Sequence, residues 1–314
     1  MTAWERALRA IGQRIRGPYA SLGRLDARLH ELQARMADME HLLAVGSERA
    51  GSSYELLDGE IRATLRALAS EESENRRRLH RLRASSSYPA AWTQASPLIT
   101  VTVATRDRPQ TLVERALTSI LGQTHAELEV IVVGDHADQA TAEAVRALGD
   151  PRVAFFNLSQ RLLFTDDPFR HWLVASTMAR NEAMLRARGL WVVSFDDDDA
   201  MRPDCLSRLL RRARESDRPE VVYGRAMFHR EGEPSFELGK FPPEHGQFTW
   251  ASGMYHAGLR FLERELFAAD MRLPGDWFLA QRMLRSGVRF AMVDGVLSDV
   301  YPSAMNRVLP PGPS

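Results

Sequence analysis

Between residues 22 and 43 the apolar positions are Leu22, Leu25, Leu29, Leu32, Met36, Met39 and Leu43, spaced alternately by three and four, with Arg24, Asp26, Arg28, Glu31, Arg35 and Asp38 between them. Steps of three and four keep one stripe of a helix apolar while charges of both signs face water, so the stretch predicts a heptad seam over three repeats. Two packings satisfy it: a coiled coil that makes the protein a homo-oligomer, or a long helix folded back on its own chain. Gly46-Ser47 and Gly51-Ser52-Ser53 interrupt the pattern, and Leu57, Ile61, Leu65, Leu68, Leu79 and Leu82 resume it less regularly. That predicts a second helix. Ahead of both, residues 3–16 place Trp4, Leu8, Ile11 and Ile15 on one helical face and Arg6, Arg9, Arg14 and Arg16 elsewhere. This face suits either peripheral contact with an anionic membrane surface or one more turn of helix packing.

Ser85-Ser86-Ser87-Tyr88-Pro89 and Ser96-Pro97 end all helical periodicity. The expected organisation is therefore a helical oligomerisation segment over 1–85, a linker over 86–97, an α/β domain over 98–302 and a flexible tail over 303–314. Within the α/β domain, strand and helix patterns alternate. Strands are predicted at 98–105, 128–133, 153–157, 190–195, 220–228 and 253–260. Helices are predicted at 111–122, 141–148, 176–188, 204–215 and 276–286, the last stopped by Gly287. Such alternation argues for a mainly parallel sheet between helices, with the Gly/Pro-rich stretch 231–248 as a substrate-side loop.

Lys plus Arg equal Asp plus Glu at 41 each, so no overall field points to nucleic acid as a partner. The single cysteine, Cys205, excludes an intramolecular disulfide and a cysteine-based zinc cluster, which suits a reducing, cytoplasmic setting. Met1-Thr2-Ala3-Trp4-Glu5-Arg6 lacks the order of a secretory signal, and no run of apolar residues is long enough to span a membrane. The expected location is the cytoplasm, with the inner membrane face reachable through residues 3–16.

Chemistry is most concentrated at Asp196–Asp199, directly after the apolar run Leu190-Trp191-Val192-Val193-Ser194-Phe195. Two carboxylates about 5 Å apart repel by roughly 0.8 kcal/mol even in bulk water, and by more near a protein surface. A hard divalent cation, Mn2+ or Mg2+, would neutralise such a cluster, and the carboxyl ends of strands are where open α/β sheets bind ligands. An acidic turn capping the next helix would satisfy the same residues without a metal. Nine histidines are scattered without the spacing of a helical metal pair. Each is by default a surface or packing residue, and His256, in the strand before the last helix, is the one that could instead face the acceptor.

Several segments together resemble glycosyltransferase family 2. In order they are residues 99–109 (Ile99-Thr100-Val101-Thr102-Val103-Ala104-Thr105-Arg106-Asp107-Arg108-Pro109), 116–124, 129–135 ending in Gly134-Asp135, Ala179-Arg180-Asn181-Glu182-Ala183, Phe195-Asp196-Asp197-Asp198-Asp199 with Pro203-Asp204, and Gly275-Asp276-Trp277. The resemblance implies the GT-A nucleotide-diphospho-sugar transferase fold. It also implies metal-dependent, inverting transfer of a sugar from a nucleotide diphosphate sugar to a hydroxyl of a glycan or glycoconjugate acceptor. It places Asp198 as the direct metal ligand with Asp196 beside it, Asp196 or Asp197 toward the ribose, and Asp135 on the nucleotide base. Thr105, Arg106 and Asp107 line the same edge. Arg180 is assigned to phosphate, Asn181 matches beside it, and Asp276 is the general base, a role compatible with capping its helix. Two rival readings are a coiled-coil scaffold with an inactive transferase-like domain and a phosphohydrolase with an aspartate nucleophile.

Overall fold

The computed structural model describes residues 71–161 and 166–302. The chain divides into two units, Met1–Arg77 and Arg78–Ser314. The heptad seam, the basic N-terminal face and the 303–314 tail lie outside the described residues. In the first unit, residues 71–77 are helical.

The second unit is built on one nine-stranded sheet in the order β3-β2-β1-β4-β8-β6-β9-β5, with β7 paired on β6. The strands are β1 (Ile99–Thr105), β2 (Leu128–Gly134), β3 (Val153–Asn157), β4 (Trp191–Asp196), β5 (Ala200–Met201), β6 (Val221–Arg230), β7 (Glu233–Leu238), β8 (Gly253–His256) and β9 (Phe290–Val300). β3, β2, β1 and β4 run parallel. β8 is antiparallel to both β4 and β6, and β6 and β9 are parallel to each other. The sheet is thus mixed and mostly parallel, as expected.

The helices are α1 (Ala90–Thr93), α2 in three joined pieces (Pro109–Thr111, Leu112–Leu117, Thr118–Leu121), α3 (Gln139–Ala147), α4 (Pro168–Leu173), α5 (Thr177–Arg186), α6 (Cys205–Ala213), α7 (Phe267–Asp270) and α8 (Gly275–Ser286). Every residue of β1 and β2 is buried, the mark of strands covered on both faces. Alternate residues serve the two faces. Val101 and Val103 pack with Leu112, Leu117 and Ile120 of α2 and Leu206 and Leu209 of α6, while Ala104, Ile131 and Val133 pack with Ala179 and Ala183 of α5. The buried Thr100 hydroxyl donates to Glu129 at 2.6 Å, which makes a polar position tolerable inside the sheet.

Chain order leaves β1 for β2 on one side and returns to β4 on the other. The carboxyl ends of β1 and β4 therefore diverge at a topological switch point, where a crevice opens.

Residues 86–97 differ from the linker expectation. Tyr88, Ala91 and Trp92 are buried in the main core, and the Trp191 indole donates to the Ala91 carbonyl at 2.9 Å. Arg83, Tyr88 and Arg289 surround the buried Glu220 carboxylate. His256 takes the default packing role and does not face the acceptor side. Its ring stacks on Trp92 at 5.0 Å and lies edge-on to Trp191.

Candidate active site

The crevice at the switch point is a cavity of about 410 Å³. Thr105 and Arg106 reach it from β1 and Asp135 from the end of β2. Asp196, Asp197 and Asp198 enter from β4, Arg180 from α5 and Asp276 from the first turn of α8. These expected residues therefore share one cavity although they come from five elements.

Two do not line it. Asp107 sits at φ +50 in the turn after β1 and accepts the Asp138 backbone N–H at 2.9 Å, so it braces one loop against another. Asn181 faces away from the cavity and hydrogen-bonds both backbone groups of Arg264, at 2.9 and 3.0 Å.

The four aspartates have separate environments. Asp196 is the outermost, its carboxylate 42% exposed and paired with Arg180. Asp197 points inward, accepting the Thr105 hydroxyl at 2.6 Å, and burial pushes its carboxyl up despite that bond and Arg108. Asp198 pairs with Arg108 at 2.6 Å. Burial, then the charges of Asp196 and Asp197, push it up to about 6. Asp199 is buried and accepts the Tyr301 backbone N–H at 3.0 Å. Burial, then Asp196 and Asp198, raise its carboxyl well above the usual range.

Among the described residues no three or more His, Cys, Asp or Glu side chains converge as a cage for a metal. The donor set still fits a hard divalent ion. Asp196 and Asp198 offer carboxylate oxygens toward the cavity, and their crowding is what a cation relieves. Mg2+ characteristically takes one or two protein carboxylates and fills its shell with water and substrate phosphates.

Asp276 is not a helix cap. Pro274 occupies that position, and the Asp276 side chain turns to Arg264. Burial works to raise its carboxyl, but Arg264 and then Arg180 outweigh it and hold it below the ordinary aspartate range.

Arginines missed by the sequence reading complete the site. Arg108 bridges Asp198 and Asp197. Arg115, in the wider turn Leu112–Leu117 of α2, donates to the Asp198 carbonyl at 2.7 Å and lies 4.1 Å over the Tyr301 ring. Such π-turns recur at functional sites. His171 and Arg161 also line the cavity. The His171 Nε2 is 2.8 Å from Arg161, and burial, then Arg161, lowers its pKa. In sequence each of these looks like an ordinary solvated charge. Ser176 carries a backbone sign of its own, φ +64 beside the cavity, and its hydroxyl accepts from Arg180 at 3.0 Å.

Gly134 has a steric cause. A Cβ there would lie 2.5 Å from Asn157 Oδ1, and that side chain is tied to both backbone groups of Ala137 at 2.9 and 2.8 Å. Asp135 is thus left as the acidic group at the end of β2.

Residues 169–270 match the family model described as Glycosyl transferase family 2. The chain is 30% identical over 237 residues to the succinoglycan biosynthesis protein ExoO of Rhizobium meliloti (strain 1021), covering 68% of this chain and 64% of that protein. It is 32% identical over 144 residues to the GalNAc(5)-diNAcBac-PP-undecaprenol beta-1,3-glucosyltransferase of Campylobacter jejuni, covering 45% of this chain and 42% of that one. The chain thus spans less than two thirds of the length of either relative. The crystal structure of S. aureus TarS 1-349 in complex with UDP superposes with a TM-score of 0.51 at 16% identity, over 65% of this chain and 60% of that chain, a likeness of fold. With the mixed sheet, the aspartates at the end of β4, the family match and these relatives taken together, the chain belongs to glycosyltransferase family 2 and has the GT-A fold.

Proposed function

We propose that this protein transfers a hexose, with inversion and metal dependence, from a nucleotide diphosphate sugar to a hydroxyl of a growing glycan or glycoconjugate. One observation carries the reading: Asp196, Asp198 and Asp276, distant in sequence, line a single cavity together with Arg180 and Asp135. Mn2+ or Mg2+ held by Asp198 and Asp196 would supply Lewis-acid stabilisation of the departing diphosphate.

The chain's own residues do the rest. Asp135, with Thr105 and Arg106, takes the nucleoside end, Asp197 the ribose side, and Arg180 a phosphate oxygen by a charge-assisted hydrogen bond. Asp276 accepts the proton of the acceptor hydroxyl as its oxygen attacks the anomeric carbon from the face away from the diphosphate. The ExoO and Campylobacter relatives favour a polysaccharide or glycoconjugate product and put glucosyl donors first for trial. The reading extends to residues 1–85 as a self-association segment and to the cytoplasm, with or without contact at the membrane face.

A panel of UDP- and GDP-sugars, scored for binding and for slow hydrolysis without acceptor, with and without Mn2+, tests the reading. At least one donor should bind and turn over only with metal. Equal turnover with and without metal, or no donor binding at all, would overturn it.

A further inference from the structure

Asp276 belongs to a chain of polar contacts that reaches Asp196 through two arginines and a serine. Its carboxylate pairs with Arg264, a side chain only 7% exposed. The same guanidinium lies 3.3 Å from the Ser194 hydroxyl, which accepts from Arg180 at 2.7 Å. Arg180 in turn pairs with Asp196. Asn181 holds the Arg264 backbone through both its N–H and its carbonyl. Burying a guanidinium to this degree costs several kcal/mol, recovered only where a carboxylate stays ionised beside it. A segment that needed only packing would carry an apolar side chain here.

We infer that Arg264 is the positioning residue of the base: it keeps Asp276 ionised and aimed into the cavity, and through Ser194 and Arg180 it links Asp276 to Asp196. The inference rests on reading Asp276 as the base. The charged groups that act on the Asp276 carboxylate are Arg264, from the segment before α7, and Arg180, from α5. From β8's leading turn the Trp250 indole donates to the Asp276 backbone carbonyl at 3.0 Å, leaving the carboxylate to the arginines. When Asp276 takes the acceptor proton, the hydroxyl O–H bond breaks, a carboxylic O–H forms, and Arg264 stays cationic beside a neutral acid. Asp276 is then a weaker base than a free aspartate but remains deprotonated to lower pH.

The test is a titration of full-length protein labelled with carboxyl-13C aspartate, the Asp276 resonance being assigned by its loss in Asp276→Asn. The parent midpoint should lie below the ordinary aspartate value. Arg264→Met should raise it by about one pH unit or more, and Arg264→Lys should keep it low, because an adjacent cation is the cause. A parent midpoint at or above the ordinary value overturns the inference without any variant, as does an unchanged midpoint in folded Arg264→Met. The assignment of Asp276 as base fails separately, if Asp276→Asn retains donor turnover within a few fold of the parent.

Discussion

At the scale of single residues, the site is a set of carboxylates whose neighbours divide the work. Asp198 is held at a raised pKa of about 6 by burial and by Asp196 and Asp197. A folded-state pKa above the unfolded value means that the folded protein binds the proton more readily, so this group's contribution to stability falls as pH rises from about 4 through 6. In metal-free protein Asp198→Asn should therefore be more stable than the parent at pH 7, by on the order of 2 kcal/mol. The gap should close by about pH 4, as urea melts at both pH values would show. The same variant should lose Mn2+-dependent donor binding, and calorimetry giving unchanged affinity would remove Asp198 from the metal site. Asp276→Asn should leave donor and metal binding nearly intact yet slow transfer at least about a hundredfold, the usual scale for a lost general base. Because Asp276 pairs with buried Arg264, a melt of the variant must accompany the rate measurement.

At the scale of elements, α1 and the turn before it act as a structural part of the α/β unit. Trp92 is 6% exposed within the core, and Trp92→Ala should cost about 3–5 kcal/mol in a denaturant melt. His256, beneath it, receives the Gly258 N–H on Nδ1 at 2.9 Å, which leaves Nε2 to carry the proton toward Tyr88. Burial lowers its pKa to about 4. The unfolded chain protonates this imidazole first, so stability is lost as pH falls from about 6.5 to 4. His256→Gln should flatten that part of the stability profile, and a parallel loss in the variant would assign the acid sensitivity elsewhere. The Glu220 carboxylate adds a separate loss at more acidic pH, below its unfolded value of 4.5. Burial opposes its ionisation, but Arg83, Arg289 and Tyr88 outweigh that and hold its pKa low.

For the molecule as a whole, the chain divides between Arg77 and Arg78, and the sheet lies in the second unit. A chain beginning at residue 78 should fold and be monomeric if residues 1–77 drive association through the heptad seam, whereas one beginning at residue 98 should fold poorly, having lost Tyr88, Ala91 and Trp92 from the core. Light scattering of the full chain and the 78–314 chain checks the first outcome. Equal numbers of copies per particle would place the seam within one chain. Circular dichroism melts of the 78–314 and 98–314 chains check the second.

What the sequence determined alone is local and periodic. The β-branched and apolar stretches of β1, β2 and β4, the amphipathic α2 and α6, and the Gly287 stop with its φ of +88 all follow from short-range pattern. The aspartate run stood out because four like charges after a buried strand need partners. Tertiary structure decided what depends on distant pairing. β9 was missed because Asp294-Gly295 breaks its pattern, and its register against β6 shifts twice; it is a strand because β6 and β5 pair with it. The same holds for Arg108 and Arg264. Alone in sequence each is a solvated charge, but contacts with Asp198, 90 residues away, and Ser194, 70 residues away, bring them into the site. An arginine's role depends on which carboxylate it meets in a desolvated place, and only the folded sheet brings these groups together.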